Sequence, residues 1–200
     1  MIDGQGLGES TIRSGNPMLG GIVRLGDGPW RLRAELDVTV PFAHVPLGTD
    51  GRSYAFTYNH TLAMWGMWNQ WLWSTDHMAV PIQANFAYAP SPRLWLVVEA
   101  AEATLIGTRR GTGSSKIVGQ LAVEAQIEVA PRLTVCPRWQ TVRLPAGGID
   151  TWQSAAGLRV ALMTAAGKFF VGALVNVDEP LGVFGGLGRW GFHLGKELDL

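Results

Sequence analysis

Two groups of side chains in this chain have the types that chemistry needs. The first is histidine with carboxylate. His44, His60 and the adjacent Asp76-His77 fall within 41–79, and His193 stands near the end. Imidazoles and a carboxylate suit a divalent cation, but these are scattered rather than paired at the short intervals of zinc sites. Unliganded loop histidines are the plainer account, and no metal is expected. His193 could act as a general base only with a nucleophile in hydrogen-bond reach. Serines on predicted strands are few, Ser115 and Ser154, and neither is assigned as its partner. A histidine in a charge network is the plainer account there too. No catalytic residue and no cofactor is assigned.

The second group is aromatic. Residues 61–73 read T-L-A-M-W-G-M-W-N-Q-W-L-W. Met64, Trp65, Met67, Trp68, Trp71 and Trp73 are candidates for a hydrophobic gate or a platform for an apolar solute, because methionine and tryptophan make large, adaptable contacts. A short helix would place Trp65, Trp68 and Leu72 on one face. The plainer account is an aromatic loop resting on a rim or an interface.

The elements that must position these groups are strands. Residues 115–129, S-K-I-V-G-Q-L-A-V-E-A-Q-I-E-V, change polarity at almost every step. Successive side chains of a strand point to opposite faces, so this ribbon has one wet and one oily face. It is about three times the usual strand of roughly 5–6 residues and exceeds the roughly 9–11 that cross a bilayer at a tilt. Nine such strands are predicted: 18–25, 30–40, 80–89, 93–106, 115–129, 132–144, 152–163, 168–177 and 188–200. In 93–106, Glu99 and Glu102 fall on opposite parities, and a bulge would reconcile them. Pro137 weakens 132–144, since it cannot donate to a ladder.

Asp27-Gly28, Pro90-Ser91-Pro92, Ala130-Pro131 and Ala165-Ala166-Gly167 have turn chemistry. Long connections, 41–79, 107–115, 145–151 and 178–187, alternate with them. Membrane meanders show this asymmetry of short and long loops. Nine is an odd count, whereas bacterial single-chain barrels are normally even. The expectation is a chain lacking at least one strand and its leader at the N-terminus, or a tenth strand within 52–64.

Composition bounds the function. The chain has 200 residues, formal net charge zero and 16% charged residues, so no basic footprint points to nucleic acid. No apolar run approaches the roughly 18 residues of a membrane helix. Cys136 is the one cysteine, which excludes an internal disulfide. Residues 1–10 have neither a basic nor an apolar segment of a secretory leader. Residues 182–188 are glycine-rich but lie between strands, which is not the strand–loop–helix of a phosphate site.

The expected fold is therefore all-β: one domain over 1–200, an antiparallel up-and-down transmembrane barrel of 10–12 strands, with 1–17 an N-terminal loop and 41–79 a long external loop. The polar parity supplies lumen-facing candidates: Arg31, Arg33, Glu35, Asp37, Lys116, Glu124, Glu128, Arg138, Arg159, Arg189, His193 and Glu197. In a channel they would set selectivity by charge and width. Trp30, Tyr88, Trp152, Trp190 and Phe192 lie near strand ends on the apolar parity, as interface anchors do.

Four segments carry a family resemblance: S-G-N-P-M-L-G-G-I-V-R-L (14–25), A-Y-A-P-S-P-R-L-W-L (87–96), N-V-D-E-P-L-G (176–182) and R-W-G-F-H-L-G-K-E-L-D-L (189–200). The chain resembles Gram-negative outer-membrane β-barrel proteins, in particular transporter-like barrels of the phenol-degradation MetA type found in myxobacteria and relatives. The resemblance implies an outer-membrane location, a lipid bilayer and the barrel-assembly machinery as partners, and a small hydrophobic solute. It implies no catalytic signature. The chain ends on Leu200, where such barrels often finish on an aromatic. Two alternatives stand beside it: a soluble lipocalin-like barrel holding a hydrophobic ligand inside, and a barrel-wall lipid hydrolase.

Overall fold

The computed structural model describes residues 16–42, 70–73, 77–108, 115–146, 149–165, 167–177 and 190–197. It is all-β. Nine strands form one antiparallel meander in chain order: β1 (Met18–Leu25), β2 (Trp30–Thr39), β3 (His77–Ser91), β4 (Leu94–Gly107), β5 (Lys116–Ala130), β6 (Leu133–Ala146), β7 (Ile149–Thr164), β8 (Gly167–Asn176) and β9 (Trp190–Glu197). Among the described residues the sheet is not closed, and β1 and β9 are its two edges. Among the described residues the one helical element is a 3₁₀ turn, Gln70–Trp73. The expected tenth strand within 52–64 lies outside the described residues.

The strands are at least as long as their alternation. β3 and β5 have 15 residues and β7 has 16. Their ends fall at the punctuation. Gly26 and Gly167 take φ of 95° and 114°, which glycine adopts without steric cost. Pro131-Arg132 closes the β5–β6 hairpin, with Arg132 itself at φ 71°.

Two expectations are corrected. The connection read as long at 145–151 is short, because β6 and β7 stay paired as far as Ala146–Ile149. Apolar alternation fades there, but cross-strand backbone bonding carries the hairpin on. The strict alternation of short and long loops is thus broken once. Nor is there a bulge between Glu99 and Glu102, where both flanking ladders run in unbroken register. Glu99 therefore faces inward and Glu102 outward.

Prolines mark the ladder without ending strands. Pro137 lies within β6 and pairs with Leu158 of β7, while the β5–β6 pairing skips from Glu124–Arg138 to Ile127–Val135. The missing N–H falls on the β5 side. The β2–β3 pairing likewise stops at Leu36–Ile82, one step before Pro81. Beyond it the Ala79 N–H donates to Thr39 Oγ1 at 2.8 Å.

One face of the sheet is concave and buried. Its inner surface near the ends of β3–β5 holds small residues, Ala79, Ala101 and Ala103, with Leu105 and Val118. Trp71 fills that space, 0% exposed, with Leu72 beside it. Asn16 holds the turn in place: its N–H donates to the Leu72 carbonyl at 2.5 Å and its Nδ2 to the Trp71 carbonyl at 3.3 Å. The Gln70–Trp73 turn thus folds inward, and alanines make the room.

Replacing a fully buried tryptophan by alanine costs roughly 3–5 kcal/mol. Trp71→Ala is expected to lower the urea unfolding midpoint accordingly while leaving the far-UV circular dichroism of the strands unchanged. An unchanged midpoint would mean that the turn contributes nothing to the core.

Candidate functional site

Strand parity and register decide which side chains meet on the concave face. Asp37, Gln120, Glu124, Gln140, Gln153 and Asn176 are all buried there. The convex face carries Leu36 at 56% exposure, Ile82 at 61% and Val171 at 52%, together with many other large apolar residues. The sheet is polar within and apolar without.

At the centre is a charge belt across four consecutive strands. Glu99 (β4) accepts from Arg138 Nη2 (β6) at 2.5 Å. Glu124 (β5) accepts from Arg159 Nη2 (β7) at 2.9 Å and lies 3.5 Å from Arg138 Nη1. Gln126 Nε2 donates to Glu124 Oε1 at 2.8 Å, and Arg138 Nε donates to Gln140 Oε1 at 2.9 Å. Glu124 is the hub, at 7% exposure with two guanidinium partners. Two carboxylates and two guanidiniums leave the belt neutral overall.

The belt extends through aromatic contacts. The Arg159 guanidinium lies 5.7 Å from the Phe170 ring centroid, reached past Gly172, which stands opposite Arg159. Arg31 lies 4.6 Å over the Trp95 ring, and Ala87, opposite Arg31, leaves the space. Such contacts stabilise a cation, most where it is shielded from water. Arg33 pairs with Glu35 two residues along its own strand.

The sequence-predicted lumen residues divide accordingly. Arg31, Arg33, Glu35, Asp37, Lys116, Glu124, Glu128, Arg138 and Arg159 all have the concave parity. Glu124, Arg138 and Arg159 are brought together. Lys116, Glu128 and Arg31 are exposed, toward strand ends. His193 and Glu197 lie in β9 at the register positions opposite Gly172 and Lys168, and Arg189 lies outside the described residues. Trp30, Tyr88, Trp152 and Phe192 are exposed on the convex face. Trp190 is opposite Val175 in the ladder. Of the aromatic run, Trp71 is in the core, Trp73 ends the 3₁₀ turn, and Met64, Trp65, Met67 and Trp68 lie outside the described residues.

Charge-based reading missed four carboxamides. Gln120, Gln140, Gln153 and Asn176 interleave with Ala122, Val142 and Ala155 in adjoining rows of β5–β8. Their parity was legible; their uncharged heads gave no reason to single them out. Glu99 and Trp95 were passed over because β4 reads as apolar on both faces at its start.

Among the described residues no group of three or more His, Cys, Asp or Glu is placed to hold a metal ion; His44, His60 and Asp76 are outside them. Ser154 sits on the convex face, its hydroxyl 3.5 Å from that of Thr141. No protein-family model, no curated protein and no solved structure matches this chain.

Removing one partner of a buried ion pair leaves an uncompensated charge and costs roughly 3–5 kcal/mol. Glu124→Gln is expected to lose that much in denaturant titration. A double-mutant cycle with Arg159→Gln should then return a coupling of about 0.5–3 kcal/mol. Strict additivity would remove Glu124 as the hub.

Proposed function

We propose that this chain forms the wall of an outer-membrane β barrel with a narrow, partly filled lumen, acting as a low-flux passive conduit for small or hydrophobic solutes. The observation that carries the reading is the inverted polarity of the sheet. A soluble barrel buries its apolar face; here the apolar face is outside and the ionic face inside. Convex residues such as Leu36, Ile82 and Val171 are exposed, while Asp37, Glu124 and Gln153 are buried. Water penalises that arrangement and hydrocarbon favours it.

Strand length supports the same reading. Fifteen residues at about 3.3 Å each and a tilt near 45° rise roughly 35 Å, enough for the hydrocarbon core of a bilayer. Convex aromatics, Trp30, Tyr88, Trp152 and Phe192, suit the interfaces of such a wall. The lipocalin-like alternative needs the apolar face inside, and the concave face is instead crossed by Glu99–Arg138 and Glu124–Arg159.

A conduit of this kind is constricted twice. The charge belt ties four strands together across the interior, and the Trp71 turn occupies the end reached from 41–79. Small barrels are filled by their side chains, and open aqueous channels come with 16–18 strands. Flux is therefore small, and solutes pass beside fixed paired charges rather than through a ring of one sign.

The protein is expected in the membrane fraction, to need detergent for extraction, and to shift in gel mobility on boiling. Quantitative recovery in detergent-free buffer without a shift would sink the membrane reading. In planar bilayers, Trp71→Ala is expected to raise conductance several-fold over the native chain. Glu124→Gln, which removes one negative charge from the belt, should move selectivity toward anions. Native-like conductance in both variants would place the permeation path elsewhere.

A further inference from the structure

One carboxylate of the concave face stands apart from the charge belt. Asp37, on β2, is 5% exposed, and its Oδ2 is buried with no hydrogen-bond partner among the described residues. No described cation pairs with it either. Arg33, on the same strand and face, is already held by Glu35. The neighbouring strands bring no side-chain donor. Gly20 stands opposite on β1, and a Cβ there would collide with Asp37 Oδ1, so the carboxylate lies over the bare glycine. On β3 the register that runs to Leu36–Ile82 places Pro81 next, opposite Asp37 and fully buried.

Two more polar groups lie along the same end of the concave face. Thr39, 0% exposed, follows Asp37 on its own strand and face. Its Oγ1 accepts from the Ala79 N–H at 2.8 Å, which leaves the hydroxyl a second lone pair and its own hydrogen. Ala79 packs against Trp71, whose indole N–H is buried with no acceptor among the described residues. A carboxylate, a hydroxyl and an indole N–H are thus gathered at the Gln70–Trp73 turn.

A buried carboxylate is costly unless a positive charge answers it. Arg138 and Arg159 do this for Glu99 and Glu124. A water bridging to the indole would satisfy hydrogen bonds and leave the charge. We propose that Asp37 is a site for a small monovalent cation, an alkali ion or a primary ammonium, held beneath the Trp71 turn. Asp37 neutralises the cation, Thr39 Oγ1 lends a second oxygen, and one retained water accepts from the Trp71 N–H. A single carboxylate suits one positive charge, whereas divalent ions gather several oxygens, commonly more than one of them from carboxylates. The site itself stands on the concave face alone. Its part in permeation rests on the membrane reading above: the belt is neutral, and a cation pauses where Trp71 narrows the path.

The test unfolds the full chain in urea with sodium, potassium or methylammonium chloride, against choline chloride at equal ionic strength. Choline is bulky and has no N–H on its charged nitrogen. A ligand held only by the folded state raises stability with concentration. The expected result is a native midpoint that rises with a small cation. The rise should be lost in Asp37→Asn and weakened in Trp71→Phe, which keeps a ring and removes the N–H. Glu102→Gln, the same change of charge on the convex face, should keep it. In choline, Asp37→Asn should be more stable than the native chain, since an amide replaces an unanswered charge. A rise with any small cation that depends on Asp37 supports the site, and comparison of the salts tells metal ion from amine. A native midpoint indifferent to the salt overturns the proposal, and so does a rise that Asp37→Asn retains. Destabilisation by Asp37→Asn in choline overturns it too, because the carboxylate is then answered from within the chain. If Asp37→Asn does not fold, the native midpoints and Trp71→Phe decide. Gel mobility on boiling reports separately on the membrane reading: a cation response without a heat shift keeps the site and sinks the conduit.

Discussion

A carboxylate on one strand meets an arginine two strands away most easily where the sheet between them curls. Glu99 does this to Arg138, and Glu124 does it to Arg159; Arg31 reaches Trp95 over an intervening strand in the same way. In a flat sheet next-nearest strands are roughly 10 Å apart, and the side chains must lean across the strand between them to meet. Curvature brings their heads together and buries them. Burial in turn makes pairing obligatory, because an isolated charge out of water is far more costly than a paired one. The concave polar face, the small residues that make room within it and the apolar convex face all follow from this geometry.

Strand order and most strand bounds were legible because period-two alternation is a local signal, and turn residues punctuate it. Side-chain parity was legible for the same reason, so the concave set around Glu124 could be named before any geometry. Three things were not. The path of Trp71 depends on Asn16, far away in sequence, and on alanines in β3 and β4, none of which marks a binding partner when read alone. The extent of the β6–β7 hairpin depends on backbone pairing where the polarity pattern has lapsed. The outward position of Glu102 follows from unbroken register, whereas pattern logic favours a bulge that would hide it.

The division of labour between the faces explains why charge was the wrong sole criterion for an interior. Carboxamides such as Gln140 and Gln153 are buried as thoroughly as Glu124, and they need partners for the same reason. They offer donors and acceptors without a field, so a wall can be polar and still nearly neutral. On the proposed reading, such a wall would set solute preference by shape and hydrogen bonding more than by sign. That accords with a belt whose two acids and two bases cancel.

Pro137 has a mechanical consequence. Where the β5–β6 ladder skips, between Glu124–Arg138 and Ile127–Val135, two neighbouring staves of the wall lack consecutive backbone stitches. The gap opens beside the place where Arg138 and Arg159 converge on Glu124. Side chains there act as rivets over a missing seam, and the charge pairs bear a load that peptide groups carry elsewhere. Pulled apart, the wall would part first at a joint held by side chains, rather than at one of its fully stitched hairpins.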